Sequence, residues 1–303
     1  MLVDTELSAG SRRNILIVGD GPAAARCRGL IDRTAPGRFR VVGVVAPDRA
    51  GDALARLARQ PRRAARAFPS RVIVALDDRR GRLPVDGLVA LRFRGIRVQL
   101  EGSFVEETLR KIPVRSIRPA DLLYSGGFRM SPWKLALKNA SDRAIALALL
   151  VVTAPLLVAA ALAATLTAPG PVLCAEERVG LRGRHFRLLK LRTAGRWLRR
   201  TRLDTLPQLW NVLRGDMSLV GPRPERPAFV ARHAELSPYF TLRHAVRPGI
   251  TGWAQVNERA ADDEAGTLET LSYDLYYIKH FSPVFDAEIF LRTALTAWCG
   301  DGA

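Results

Sequence analysis

The residues best suited to chemistry lie in the second half of the chain. Arg178, Lys190, Arg192, Arg199, Arg223 and Arg247 form a basic cradle around isolated acids. Such groups suit phosphate oxygens, because an arginine fork donates two parallel hydrogen bonds and a lysine adds a compact charge. Arg223 stands between Pro222 and Pro224, two φ-restricted residues that pre-orient it at small entropic cost. Asp204 precedes a helical pattern with Pro207 in its first turn, and sequence signals alone favour reading it as a helix N-cap. The histidines (His185, His233, His244, His280) show no HExxH or paired spacing, so no transition-metal site is expected. Three scattered cysteines (Cys27, Cys174, Cys299) exclude a disulfide framework and point to a reduced, cytosol-facing location.

These residues must be positioned by elements on both sides of an apolar stretch. Ala144 to Ala168 reads AIALALLVVTAPLLVAAALAATLTA and carries no charge. As one helix it reaches about 37 Å, against about 30 Å of bilayer hydrocarbon. It lacks the polar stripe of a soluble helix, so a membrane location is expected. Pro155 near its middle removes a helical hydrogen bond. Basic residues flank both ends: Arg129, Lys134, Lys138 and Arg143 before, Arg178, Arg182, Arg184, Arg187 and Lys190 after. Both ends therefore favour the cytoplasm. The expectation is a re-entrant hairpin bent at Pro155, with Trp133 and the lysines at the interface; a spanning helix that tolerates the proline is the competitor.

Ahead of that stretch, short apolar runs alternate with helical patterns. Candidate strands are Asn14–Val18, Arg40–Val45, Arg71–Leu76 and Ile96–Leu100; candidate helices include Gly51–Arg59 and Val85–Phe93. The alternation predicts an α/β, Rossmann-like doubly wound unit. Gly19-Asp20-Gly21-Pro22-Ala23-Ala24 approximates the phosphate-binding turn, which makes Gly19 and Gly21 candidate nucleotide-binding residues. Pro22 alters that turn, Asp48 is a poor match for the ribose-binding acid, and the glycines could equally serve a tight strand-to-helix turn.

Composition narrows the classes further. The chain has 303 residues, 48% hydrophobic, which is ample for one large or two ordinary folded domains. A net charge of +18, with only five lysines among 47 basic residues, implies an anionic partner: nucleic acid, anionic lipid or a phosphorylated substrate. The basic run Arg59–Arg66 lacks interleaved aromatics, so no nucleic acid is expected and a solvated or headgroup-facing surface is read instead. The opening MLVDTELSAGSRRN has no apolar core for a signal peptide. Trp253 and Gln255 either meet a nucleotide base or the membrane interface, or close a turn after Gly249 and Gly252. Tyr273–Ile278 is expected to pack on the core.

The stretch from about Lys134 to Ala303 resembles the bacterial sugar transferases, monotopic polyprenyl-phosphate phosphoglycosyltransferases that start exopolysaccharide or O-antigen assembly. The motifs that carry this are LDTLPQLWNVLRGDMSLVGPRPE from Leu203 and RPGITGWAQV from Arg247. SFVEETLRKIPV, SGGF and the terminal GDGA are similar to the exopolysaccharide transferases associated with PEP-CTERM sorting systems. The resemblance implies a flexible tail (1–13), a Rossmann-like domain (14–130) and a mostly helical α+β sugar transferase domain (131–303) containing membrane segment 144–168.

It also implies a mechanism in which Asp204 is the nucleophile on a UDP-sugar. UMP leaves, and a polyprenyl phosphate, undecaprenyl phosphate above all, then takes the phosphosugar from an aspartyl intermediate. Lys190, Arg192, Arg199 and Arg223 would bind phosphate, and Mg²⁺ would serve as cofactor. Membrane lipid is the surrounding partner, a homo-oligomer is left open, and the location is the bacterial inner membrane with both domains facing the cytoplasm. Two departures stand out. The expected metal-ligating Glu is Thr205, a poorer ligand for a hard cation, and only Ala194 separates the K-x-R-T strand from the following G-R-x-x-R helix. Glu176, Glu177, Asp216 and Glu225 are candidates for the missing ligand. The alternative is a catalytically degenerate nucleotide-binding or scaffold protein of the same fold.

Overall fold

The computed structural model describes residues 13–34, 37–61, 68–117, 119–128, 131–167, 170–192, 203–257 and 263–299. The chain divides into two compact units, Met1–Arg110 and Lys111–Ala303.

The N-terminal unit is built on a parallel sheet. Strands β1 (Arg13–Val18), β2 (Phe39–Val45), β3 (Arg71–Val74) and β4 (Arg97–Leu100) lie in the order β2-β1-β3-β4. Strand side chains alternate, and β1 feeds both faces: Ile15 and Ile17 join one core cluster, Leu16 and Val18 another. Helices α1 (Pro22–Thr34) and α4 (Glu101–Leu109) cover the first face through Ala23, Cys27, Ile31 and Phe104. Helices α2 (Pro47–Arg59) and α3 (Val85–Phe93) cover the second through Ala50, Leu54, Leu88 and Leu91. Pro47 opens α2, where its missing N–H is no loss.

In the second unit, a short helix α5 (Pro119–Tyr124) precedes α6 (Pro132–Thr167), 36 residues long. Where the sequence predicts two legs meeting at Pro155, α6 is helical throughout and holds the proline inside it. Proline forfeits only one helical N–H, and in an apolar segment no other backbone arrangement satisfies the remaining groups as well. Within Pro132–Leu162 an 18-residue window has mean hydropathy 2.7 and is 11% buried, so the helix is long and apolar enough to cross a membrane. Both halves touch the same body. Ala146, Leu149 and Leu150 join the main core, while Leu157 and Ala160 pack with Val172, Leu191 and Leu203.

Beyond α6, β5 (Leu173–Val179) and β6 (His185–Leu191) form an antiparallel hairpin. Then come α7 (Gln208–Arg214), β7 (Ser218–Val220), α8 (Pro227–Leu236), β8 (Gly249–Thr251), α9 (Trp253–Asn257), α10 (Glu264–Lys279) and α11 (Pro283–Cys299). Strands β7 and β8 pair in parallel. A Cβ on Gly249 would lie 2.1 Å from the Gly221 nitrogen, so this crossing admits only glycine. Trp253 is buried edge-on against Phe285, ring centroids 5.0 Å apart, which places it in the core rather than at an interface. Leu275, Tyr276, Tyr277 and Ile278 are buried as well, as expected for packing.

Candidate functional site

The cradle forms on the β5–β6 hairpin. Glu176 and Arg178 share a face of β5, and Lys190 lies diagonally across on β6, where it pairs in register with Cys174. The Glu176 carboxylate gathers three cations. Lys190 bonds one oxygen; Arg178 (2.6 Å) and Arg226 (3.4 Å) reach the other. The Lys190 hydrogen bond, seconded by Arg178 and resisted by burial, holds the Glu176 pKa down at about 2. Arg192 follows β6, and its main-chain N–H donates to the Val172 carbonyl at 2.8 Å.

Asp204 sits half-buried on a 3₁₀ turn, Leu203–Thr205, whose Leu203 packs against Leu191 at the end of β6. The N-cap reading does not survive. Helix α7 starts only at Gln208, its cap position is Pro207, and no side chain caps it. A chain that passes through a 3₁₀ turn and a proline before becoming α-helical moves the cap past the aspartate. Asn211, fully buried on α7, fixes the register to β6. It accepts from the Leu189 N–H at 3.0 Å and donates to the Arg187 carbonyl at 2.8 Å. The turn bearing Asp204 and the strand bearing Lys190 are thus locked together.

Arg223 is exposed between two buried prolines. Arg178 donates to the Pro224 carbonyl (3.1 Å), and Arg243 donates to that of Arg223 (3.0 Å). Arg247, expected in the cradle, instead bonds Asn139 on α6. Arg199, with the connector at Ala194, lies outside the described residues. Of the candidate metal ligands, Glu176 is held as above, Glu177 contacts His185 (2.9 Å), Asp216 lies 3.5 Å from Arg214, and Glu225 lies 3.9 Å from Arg243. Among the described residues, no three His, Cys, Asp or Glu side chains come together to hold a metal.

In the N-terminal unit, Gly19 and Gly21 are explained by crowding. A Cβ on Gly19 (φ +156°) would lie 2.1 Å from the Ala75 carbonyl oxygen, and one on Gly21 would lie 2.4 Å from the Asp77 carboxylate. That carboxylate accepts the Ala23 N–H at 3.2 Å, at the start of α1, and lies 3.5 Å from Arg26. An internal anion therefore sits where a helix N-terminus would meet a phosphate.

Two buried polar groups were not singled out from sequence, and a third, Lys138, was expected at the membrane interface but is buried. Asn211 is one. Arg243 and Asp274 form an ion pair at 2.7 Å, both side chains 2% exposed, with burial raising the aspartate pKa to about 6. Lys138, at the base of α6, contacts Asp142 (3.3 Å) and Asp286 (2.7 Å), and the Tyr277 hydroxyl donates to Asp286 at 2.8 Å. A charge every fourth residue ahead of an apolar segment was the available signal for Lys138 and Asp142. An open cleft of about 610 Å³, lined by Val179, Arg182, His185, Val230, Leu242 and His244 among others, contains none of Lys190, Arg192, Asp204 or Arg223.

Several known proteins are similar to this chain. A UDP-N-acetylgalactosamine-undecaprenyl-phosphate N-acetylgalactosaminephosphotransferase of Aeromonas hydrophila is 38% identical over 200 residues, 59% of this chain and 47% of the relative. An undecaprenyl-phosphate glucose phosphotransferase of Komagataeibacter xylinus is 33% identical over 314 residues, covering 93% of this chain and 58% of the relative. A UDP-glucose:undecaprenyl-phosphate glucose-1-phosphate transferase of Escherichia coli K12 is 37% identical over 193 residues, 55% and 41% of the two chains. The chain thus spans about half the length of these relatives. The bacterial sugar transferase profile matches residues 133–194 and 193–300, more than half of the chain, and the protein belongs to that family.

Proposed function

We propose that the protein moves a sugar 1-phosphate from a UDP-sugar to undecaprenyl phosphate. The observation that supports this reading is the register lock between β6 and the segment carrying the 203–205 turn, which sets the Asp204 turn beside the strand that carries Lys190. An Asp204 oxygen attacks the β-phosphorus of the UDP-sugar. The bond from that phosphorus to the bridging oxygen breaks, and UMP leaves with the electron pair. An oxygen of undecaprenyl phosphate then attacks the same phosphorus and displaces Asp204, giving undecaprenyl diphosphate sugar. Lys190, Arg192, Arg199 and Arg223 neutralise the phosphoryl oxygens during both displacements.

Mg²⁺ would supply further charge neutralisation at the diphosphate. The described residues do not fit a protein-held ion, since Thr205 follows Asp204 and no ligand cluster forms, so no step is routed through one. Thr205 also favours a second reading, a degenerate member that binds without catalysis. UMP release by detergent-extracted protein, assayed with several UDP-sugars, separates the two. Release by the wild type supports the enzyme; release only by Thr205→Glu supports the degenerate reading.

The membrane reading places α6 in the bacterial inner membrane with both flanks cytoplasmic. Its support is the packing of both halves of α6 on one body, together with Val284, Phe290, Leu291 and Leu295 exposed on α11. Single cysteines at Ser131 and at Cys174 should both resist labelling from the periplasm of intact cells; labelling of either one overturns it. The Rossmann-like reading of the N-terminal unit rests on its strand order, which reverses direction at β1 and β3.

A further inference from the structure

The loop from Pro222 to Arg226 carries the arginine assigned to phosphate, and its backbone is gripped from inside. The Arg223 carbonyl accepts from Arg243 at 3.0 Å, the Pro224 carbonyl from Arg178 at 3.1 Å, and the Glu225 carbonyl from the Val179 N–H at 2.9 Å. Three successive carbonyls therefore face the body, and the Arg223 side chain is left exposed. Arg178 is partly committed to Glu176. Arg243 is different: it is buried, and the polar groups it reaches are the Arg223 carbonyl and Glu225 on this loop, and Asp274.

We propose that Arg243 is the positioning residue of Arg223, with buried Asp274 as its counter-ion. The proposal rests on the reading of Arg223 as a phosphate ligand. One Nη of Arg243 reaches both the Arg223 carbonyl and Asp274, at 3.0 and 2.7 Å, while the other lies 3.9 Å from the Glu225 carboxylate. The guanidinium lies over the Phe240 ring, 5.0 Å from its centroid, which fixes its plane. A lysine has no planar fork to serve these acceptors together. A guanidinium buried this deeply needs a paired anion, and Asp274 on α10 is that anion. Arg243 touches no substrate in this scheme; it decides where the Arg223 donors point.

UMP-release kinetics on Arg243→Lys, Arg223→Ala and the double variant test it. Arg243→Lys should raise KM for the UDP-sugar about tenfold, the loss from one misaimed charge-assisted contact, with KM for undecaprenyl phosphate little changed. In the Arg223→Ala background the same change should add less than about twofold, because nothing remains to position. Full multiplication of the two losses overturns the proposal and makes the pair a general core contact. Should Arg243→Lys lose its melting transition, Asp274→Asn, which keeps the shape and leaves Arg243 in place, takes its part in the same cycle. A readout independent of catalysis separates failure of this inference from failure of the proposed reaction. A nitroxide at Arg223→Cys, with Cys174 and Cys299 replaced by serine and Cys27 buried, should become more mobile with Arg243→Lys; an unchanged line shape overturns the positioning role even if the wild type releases no UMP.

Discussion

Each unit holds a carboxylate where an external anion could sit, and the two are held differently. Asp77 accepts from a backbone N–H at the start of α1 and lies near Arg26. Glu176 is held by Lys190, Arg178 and Arg226, all of them side chains. A backbone donor cannot follow a ligand, and Gly21 is packed directly against Asp77, so this carboxylate is fixed in place although it is exposed. Long cationic side chains can swing from an internal carboxylate to a diphosphate without moving a strand. The same local motif, an acid on basic donors, is a structural cap in one unit and an exchangeable counter-ion in the other.

The largest expected effect tests whether the exchangeable cradle serves Asp204. Asp204→Asn should lower UMP release by about a thousandfold or more, because an amide does not form the acyl-phosphate bond. A loss below tenfold would remove Asp204 from the reaction and leave the cradle as a binding site only. Next, Glu176→Gln should tighten UDP binding about three- to tenfold, since an internal competitor is gone while the cations remain. Calorimetric titration of both proteins with UDP measures it. Weaker binding by the variant would mean that Glu176 orders the cations more than it competes, and the contrast with Asp77 would collapse.

Acid stability reads the same carboxylate from another side. Its folded pKa, about 2, lies below the ordinary 4.5, so its contribution is complete above about 4.5 and is lost as pH falls towards 2. Glu176→Gln should remove that dependence, about 2 kcal/mol after discounting for partial exposure. Asp274 has the opposite sign. Its folded pKa of about 6 exceeds the ordinary 3.8, so its protonation favours the folded state as pH drops through that interval. Denaturant unfolding from pH 2 to 7 checks both, and a flat wild-type profile would contradict both.

The pattern of what was legible follows from the physics of each signal. The strands of the first unit were readable because a sheet covered on both faces needs unbroken apolar runs, as in Asn14–Val18. Helix α3 was readable at both ends, Val85 after Pro84 and Phe93 before the Arg94-Gly95 turn. Pro155 does not end the helix, since one proline in an apolar helix costs less than a break exposes. Asp204 looked like a cap because the proline signal does not say where a 3₁₀ turn yields to α-helix. Asn211, Arg243 and Asp274 gave no periodic signal at all. Each is a single polar residue whose partner lies 20 to 31 residues away (Arg187, Arg223 and Arg243 in turn), so only the fold reveals its use.

The smallest expected effect concerns the fixed carboxylate. Asp77→Ala should cost about 1 kcal/mol of stability, the usual loss when a side-chain cap is removed from a helix N-terminus. It should leave UMP release unchanged, because the reaction is assigned wholly to residues of the other unit. It also uncovers the Ala23 N–H at the positive end of α1 and leaves Arg26 paired with Glu101. In a Lys190→Ala, Arg223→Ala background, inorganic phosphate at millimolar concentration should therefore raise the melting temperature when Asp77→Ala is added and not when Asp77 is intact. The contrast between the two carboxylates then has a direct measure. Stabilisation of that background by phosphate with Asp77 intact would show Asp77 yielding to a ligand as Glu176 does, and the first unit would have to be counted as a second anion site.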